Sequence, residues 1–159
     1  MPLRVLHCPL MVGGNPYGLA RAERTVGLES MALVFASNYL KYRADKVLFA
    51  NSHLLNEIRR WQFILGVFKK FDVIHYNSGA SLCPARVFED IGVSPRWIKK
   101  LYNLIYGRWF ELRDVVWAQH SGKVIAVTYQ GDDARQGDYC QANYRSEEHT
   151  SELQSRQSI

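Results

Sequence analysis

The stretch LRVLHCPLMVGG, residues 3–14, combines a short apolar run with an abrupt end at Pro9 and a pair of glycines, Gly13 and Gly14. An apolar run of this length followed by turn-forming residues predicts a buried β-strand that feeds a loop. Four further runs have the same character, and they lie at residues 31–35, 46–50, 71–76 and 123–128. Helical patterns alternate with these runs, and they lie at residues 17–27, 54–68 and 96–119. The alternation predicts a Rossmann-like α/β fold, a parallel sheet with helices on both faces.

Two of the helical patterns indicate which helix face should be buried. After Ser52, a residue suited to cap a helix, apolar residues recur every three or four positions and form one stripe. That stripe consists of Leu54, Ile58, Trp61, Leu65 and Phe68. In the last pattern Gly107 is the expected weak point, and a second stripe is expected to face inward. The second stripe consists of Trp97, Leu101, Leu104, Ile105 and Leu112.

Composition and charge limit the classes of protein to which this chain can belong. Its 159 residues are 47% hydrophobic and 22% charged, as in a folded domain and unlike a disordered or collagenous chain. The net charge of +5 is spread along the chain without a nucleic-acid-binding motif, so we expect no nucleic-acid partner. Cys8, Cys83 and Cys140 are too widely spaced for a paired zinc motif and too few for a disulfide framework. We therefore expect a cytoplasmic protein without a metal site.

The last fifteen residues differ in composition from the rest of the chain. They read RSEEHTSELQSRQSI, with Leu153 and Ile159 as the only aliphatic side chains and with no helical or strand period. On composition alone this segment is a disordered polar tail. Its first eleven residues are also similar to the translation of a common short-read sequencing adapter. That resemblance implies that evolved sequence ends near Tyr144, so we expect a domain at residues 1–144 and an unstructured tail at 145–159.

The predicted parallel sheet indicates where a ligand would bind. Ligands of open α/β sheets lie outside the carboxyl ends of the strands, which places the candidate loops at residues 12–21, 77–82 and 129–135. Glycines ahead of a helix can bring backbone N–H groups against an anion. Gly13 and Gly14, however, form neither the G-x-G-x-x-G fingerprint of dinucleotide-binding proteins nor a P-loop. An ordinary turn and an anion-binding turn are both compatible with these two residues.

Three longer segments carry a more specific signal. They are LRVLHCPLMVGGNPYGLARAER at residues 3–24, FDVIHYNSGAS at 71–81 and KVIAVTYQGDDARQGDYC at 123–140. In this order and spacing they resemble the amino-terminal Rossmann domain of bacterial family 4 glycosyltransferases, which have the GT-B fold. The resemblance covers residues 3–144 and implies one half of an enzyme that transfers sugar to a glycan or lipid-linked acceptor, as in the synthesis of cell-envelope polysaccharide. Because the other half holds most of the nucleotide-sugar donor, we expect this chain alone to be nearly inactive.

The same resemblance assigns candidate site residues. It places the loop after the first strand beside the phosphate and sugar of the donor, and the loops after the fourth and fifth strands beside the acceptor or cleft. The matching positions are Gly13, Gly14 and Asn15 for the donor, and Asn77, Ser78, Gln130, Gly131 and Asp132 for the acceptor or cleft. Many relatives carry a histidine where this chain has Gln130, and glutamine cannot relay a proton at neutral pH. No catalytic residue is assigned, and no cofactor is expected besides the nucleotide sugar as co-substrate.

The sequence leaves two other interpretations open. A non-enzymatic α/β small-molecule-binding module of the flavodoxin-like type would show the same alternation of strands and helices. The basic and aromatic residues at 96–113 could attach the protein to the inner face of a membrane, or they could form an ordinary helix with a solvated basic side. The apolar stripe expected at Trp97, Leu101 and Leu104 favours the ordinary helix.

Overall fold

The computed structural model describes residues 2–37, 40–49, 52–84 and 96–129. These residues form an open sheet of parallel strands with helices on both faces. In these ranges the elements follow in the order β1 (Arg4–Cys8), α1 (Asn15–Thr25), β2 (Glu29–Val34), β3 (Lys46–Val47), α2 (His53–Lys70), β4 (Val73–Asn77), α3 (Arg96–Phe110), α4 (Arg113–His120) and β5 (Val124–Thr128). The predicted Rossmann-like α/β fold is confirmed. The predicted tail at residues 145–159 lies outside the described ranges.

The strand order creates a switch point in the middle of the sheet. The order is β3-β2-β1-β4-β5, and all neighbouring strands are parallel. The chain builds outward from β1 through β2 to β3, and it then crosses back to place β4 on the other side of β1. Within that central pair, Val5 lies opposite Val73 and His7 lies opposite His75. The loops that leave the carboxyl ends of β1 and β4 therefore flank the crevice where sheets of this kind bind ligands.

The two faces of the sheet differ because successive side chains of a strand point to opposite sides. One face carries the apolar core together with α2, α3 and α4, and the core includes Leu6, Cys8, Leu33, Ile64, Val67, Ile74, Tyr76, Tyr106 and Ala118. The other face carries His7, which hydrogen-bonds Glu23 of α1. Most of the hydrophobic stabilisation therefore comes from the side of α2, α3 and α4, and the α1 side of the central strands is partly polar.

An ion pair fixes the amino-terminal ends of the central strands. Asp72 accepts hydrogen bonds from the backbone N–H of Arg4 at 3.1 Å and from its guanidinium at 3.0 and 2.9 Å. The Nζ atom of Lys123 lies 3.9 Å from the same carboxylate. The hydrogen bonds from Arg4 hold the pKa of Asp72 at about 2, below its ordinary value. These contacts tie β1, β4 and β5 together at the edge opposite the candidate loops.

The buried face of α2 differs from the predicted one. Trp61 and Phe68 are partly buried, as expected. The other three residues of the predicted stripe are exposed, namely Leu54, Ile58 and Leu65. The residues that pack inward are Glu57, Arg60, Ile64 and Val67. The helix is thus turned by about one residue, roughly 100°, from the predicted orientation. The prediction was wrong because a periodicity argument treats charged residues as exposed, whereas Glu57 and Arg60 form a buried ion pair.

The region of α3 and α4 also differs from its prediction. The break between the two helices falls at Leu112, which has a φ of +57°, and Gly107 lies inside α3. All five residues of the predicted inward stripe are between 49% and 70% exposed, namely Trp97, Leu101, Leu104, Ile105 and Leu112. The inward face of α3 is aromatic and consists of Tyr102, Tyr106 and Phe110. This helix carries apolar residues on two opposite faces, so its periodicity could not indicate which face packs on the core.

Candidate functional site

Hydrogen bonds join the loop after β1, the end of β4 and the last residue of β5. The side-chain amide of Asn77, at the end of β4, donates to the carbonyl of Leu10 in the loop after β1 at 3.3 Å. The backbone N–H of Ser78 donates to the carbonyl of Thr128 at the end of β5 at 2.7 Å. Asn77 is only 2% exposed. Its amide therefore positions the loop after β1, and Ser78 is the more accessible residue of the pair.

The glycine pair turns the chain from β1 into α1. Gly13 and Gly14 have φ values of +59° and +75°, a left-handed conformation that is strained for other residues. Gly14 is the N-cap of α1, and Pro16 occupies the first turn of that helix. The aromatic ring of Tyr42 covers Gly14, because a Cβ atom at this position would lie 3.4 Å from the ring. The turn thus directs the positive end of the α1 dipole toward the switch point, where it would favour a negatively charged ligand.

The loops at the switch point are electrically neutral. Residues 9–15 and 77–81 contain no acidic, basic or histidine side chain. Their hydrogen-bonding groups are the backbone amides and the side chains of Asn15, Asn77, Ser78 and Ser81. The described loops can therefore bind and orient a ligand, whereas acid–base chemistry would have to come from outside them.

A histidine pair lies beneath these loops on the α1 face of the sheet. The Nδ1 atoms of His7 and His75 are 2.7 Å apart, and both side chains are buried. The Nε2 atom of His7 lies 2.9 Å from a carboxylate oxygen of Glu23 and 3.1 Å from the hydroxyl of Ser30. The Nε2 atom of His75 is hydrogen-bonded to the hydroxyl of Thr128. A chain of polar side chains thus crosses the sheet from β5 to α1.

One arrangement of protons satisfies every member of this chain, assigned here from the hydrogen-bond network. The Thr128 hydroxyl donates to Nε2 of His75, and His75 donates from Nδ1 to Nδ1 of His7. His7 then donates from Nε2 to the carboxylate of Glu23, which can only accept when ionised. His75 is neutral in this arrangement. Protonation of His75 would add a hydrogen to Nε2, so the Thr128 hydroxyl could no longer donate to that atom.

We expect the stability of the protein to fall as the pH drops below about 6.5. Burial, and secondarily the neighbouring His7, holds the pKa of His75 below its ordinary value of 6.5. The pKa of His75 is lower in the folded protein than in the unfolded chain, so the unfolded chain binds a proton at a higher pH. The free energy of unfolding therefore decreases on acidification. Urea unfolding at a series of pH values between about 5 and 8 would measure this loss. The contribution of Asp72 lies in a separate window below its ordinary pKa of 3.8.

A pair of histidine variants tests the origin of this dependence. In His75→Gln the loss of stability on acidification should become smaller. In His120→Gln it should be unchanged, because His120 is exposed at the end of α4. An NMR titration of the His75 ring in the unmodified chain gives an independent check that does not depend on folding of the variant. A pKa at or above 6.5 in that titration would contradict the assignment.

Two buried residues, Asp114 and Arg60, hold the loop after β4 through hydrogen bonds to the backbone of Leu82. The N–H of Leu82 donates to the carboxylate of Asp114 at 2.7 Å, and the carbonyl of Leu82 accepts from the guanidinium of Arg60 at 3.0 Å. Arg60 is paired with Glu57 through contacts of 2.9 and 2.6 Å. Burial by itself would lower the pKa of Arg60, but the hydrogen bonds and charge of Glu57 raise it above its ordinary value. Arg60 therefore stays charged inside the protein.

A separate groove of about 440 Å³ lies between β3 and α2. Its lining includes three cationic side chains, Lys46, Arg59 and Lys70, and the ring of Phe63. Because β3 is the edge strand of the sheet, this groove is apart from the crevice at the carboxyl ends of β1 and β4. Its lining contains no residue of the candidate site among those that the structure describes.

The structure places five of the predicted site residues at the carboxyl ends of two neighbouring strands. Gly13, Gly14 and Asn15 follow β1, and Asn77 and Ser78 follow or end the neighbouring strand β4. Their roles toward a donor and an acceptor stay predictions. Gln130, Gly131 and Asp132 lie outside the described residues.

The contact between His7 and His75 was not predicted from the sequence. The segments Val5–Cys8 and Val73–Tyr76 share a pattern in which a valine and a second aliphatic residue precede a histidine. In two adjacent parallel strands in register, that pattern places the histidines side by side. The repeated pattern was therefore the available signal, although it required knowledge of which strands pair.

The cysteines described by the structure are not suited to nucleophilic catalysis. Cys8 and Cys83 are both buried. Burial raises the pKa of each thiol above its ordinary value, so neither forms a thiolate at neutral pH. In the described ranges there is also no cluster of three or more His, Cys, Asp or Glu residues arranged to hold a metal ion.

Known proteins provide no further guide to this site, since no protein-family model, no curated protein and no solved structure matches the chain. Inference about function therefore rests on the geometry of this chain alone. That geometry consists of a glycine turn and a helix N-terminus after β1, beside a neutral polar turn after β4.

Proposed function

We propose that this chain is the acceptor-side half of a glycosyltransferase, which transfers sugar from a nucleotide-sugar donor to a glycan or lipid-linked acceptor. One observation carries the proposal. The Gly13–Gly14 turn and the Asn77–Ser78 turn flank the switch point of a 3-2-1-4-5 parallel sheet, and Asn77 donates a hydrogen bond to the carbonyl of Leu10 in the loop that leads into the glycine turn. The resemblance of the three loop-bearing segments to family 4 glycosyltransferases supports the same function.

The proposed roles follow from the chemistry of each loop. The N-terminal end of α1 would stabilise negative charge on the donor phosphates. Gly13 and Gly14 would allow the donor to approach the backbone, and Asn15 and Ser78 would hydrogen-bond hydroxyl groups of the sugars. Asn77 would act as a positioning residue, because it is buried and holds the loop after β1. Catalysis in such a cleft comes mainly from holding donor and acceptor together and from stabilising the departing diphosphate.

The strand order favours this proposal over a flavodoxin-like binding module. A flavodoxin-like sheet has the order 2-1-3-4-5, in which the second strand lies at the edge. Here Lys46 and Val47 of β3 pair with Leu33 and Val34 on the outer side of β2. A short strand of two residues therefore distinguishes the two arrangements. Fold alone does not define function, so the test must address the loops.

An NMR titration of the isotope-labelled chain tests the proposal directly. We expect uridine diphosphate glucose to shift the amide signals of Gly13, Gly14 and Ser78, with a dissociation constant on the order of millimolar because only one wall of the cleft is present. Inorganic diphosphate, as an anion without sugar, should shift the glycine signals but not that of Ser78. Shifts confined to the groove residues Lys46, Arg59 and Lys70 would overturn the proposed site.

A further inference from the structure

The outward face of α3 is an exposed apolar surface, here called the α3 face. It consists of Trp97, Leu101, Leu104, Ile105 and Trp109, each about half exposed or more. Trp97, Leu101, Leu104 and Ile105 lie within about 100° on one side of the helix, and Trp109 lies at the margin of that side. The opposite side is occupied by Tyr102, Tyr106 and Phe110, which pack on the core. The packing of the domain therefore does not need the α3 face.

The charge of α3 is entirely positive. Its fifteen residues include Arg96, Lys99, Lys100 and Arg108 and no acidic residue. Lys100 and Arg108 are exposed beside the apolar residues. Within α3 the apolar residues are accompanied by cations and by no anion, although exposed Glu111 follows the helix. Such a strip is complementary to a surface that is both apolar and negatively charged. Anionic phospholipid bilayers have this combination of properties.

We infer that the α3 face docks this protein on the surface of an anionic lipid bilayer. Trp97 and Trp109 stand about 18 Å apart along the helix, with leucine and isoleucine between them, so the helix can lie in the interface with a tryptophan at each end. Exposed Lys100 and Arg108 would contact lipid phosphates. None of the helices that the structure describes is long and apolar enough to cross a membrane. The inference does not depend on the proposed glycosyl transfer.

Sedimentation with lipid vesicles tests this inference on the chain as it is. The vesicles contain either phosphatidylcholine alone or phosphatidylcholine with about one third phosphatidylserine. We expect binding to the anionic vesicles, weakening at high salt, and little binding to the neutral ones. The double charge reversal Lys100→Glu with Arg108→Glu should reduce binding at least about 25-fold, since each basic residue contributes about fivefold.

A matched control separates docking by α3 from attraction due to net charge. Arg21→Glu with Arg43→Glu changes the net charge equally at exposed positions on α1 and on the segment between β2 and β3. This control should bind within about threefold of the unmodified chain, as expected if only charges near the lipid contribute. An equal loss in both double variants would overturn the inference, as would undiminished binding by the Lys100 and Arg108 variant. Melting curves of all variants would establish that they are folded.

Tryptophan fluorescence provides a second readout. Trp97 and Trp109 are exposed, whereas Trp61 and Trp117 are partly buried against the core. Binding to anionic vesicles should shift the emission to shorter wavelength, and Trp97→Phe with Trp109→Phe should abolish that shift. A shift that persists in this variant would contradict insertion of the α3 face. A concentration-dependent dimer lost in the same variant, without vesicle binding, would show instead that the face joins two copies of the chain.

Discussion

Replacing Arg60 by methionine is expected to lower the free energy of unfolding by about 3–5 kcal/mol. Arg60 is 1% exposed, and its guanidinium lies over the rings of Trp61 and Tyr106. Its guanidinium donates to both carboxylate oxygens of Glu57 and to the hydroxyl of Tyr106. Methionine would leave the Glu57 carboxylate buried without its cation. A buried charge that has lost its partner costs far more than the pair contributes relative to apolar residues of the same size.

Glu57, the partner of Arg60, provides a second test of this prediction. In Glu57→Met with Arg60→Met, no charge is left unpaired, and we expect much of the lost stability to return. Arg59→Met is the matched control, because Arg59 is exposed one position away on the same helix and should cost less than about 0.5 kcal/mol. Urea unfolding would give all four values. A loss below about 1 kcal/mol for Arg60→Met would show that the buried pair is less important than its geometry indicates.

The loss of Arg60 should also loosen the segment after β4, which forms part of the candidate site. Arg60 bonds the carbonyl of Leu82, in the segment that follows Ser78. Amide hydrogen exchange of residues 78–83 should therefore become faster in the Arg60 variant even under conditions where the protein is folded. Exchange that is unchanged in this segment would limit the role of Arg60 to global stability.

In a complete enzyme that carries this half, Gly14→Ala is expected to lower kcat by about 10- to 100-fold. This prediction depends on the proposed glycosyl transfer. Gly14 has a φ of +75°, and an added Cβ atom would lie 3.4 Å from the ring of Tyr42. The left-handed φ strains any residue with a Cβ atom, and relief of that strain would move the N-terminal end of α1, the proposed site of the donor phosphates. A displacement of about 1 Å in a positioned substrate can cost a hundredfold in rate. The chain alone should transfer no sugar.

Gly27→Ala is the matched control for this variant. Gly27 also has a left-handed φ, of +90°, but it follows the other end of α1 and has no atom within 4 Å of an added Cβ. Both substitutions should cost about 1–2 kcal/mol of stability through the same backbone strain. Only Gly14→Ala should reduce turnover, measured as release of nucleotide from the donor. Equal turnover in the two variants would remove the glycine turn from the site.

Much of the fold follows from the sequence because strand and helix patterns are local. The apolar runs ending at Cys8 and Thr128 were assigned to strands from a few consecutive residues, and the structure has strands there. The helical pattern at residues 17–27 ends at Gly27, and the structure has Gly27 in a left-handed conformation just after α1, where glycine is favoured regardless of the rest of the protein. Parallel strands also place their loops at one edge, so Gly13 and Asn77 could be assigned to the same edge of the sheet without knowledge of any side-chain contact.

Only the tertiary structure decided which side chains of the helices are buried. In α2, Arg60 is a core residue because it donates hydrogen bonds to three buried partners. These are Glu57 three positions away, Tyr106 of α3 and the carbonyl of Leu82. In α3, the aromatic face packs against the core and the other apolar face stays exposed. The contact of His7 with His75 likewise joins residues 68 positions apart. Burial of a polar group is favourable only when distant partners satisfy its hydrogen bonds, and those partners meet only in the folded chain.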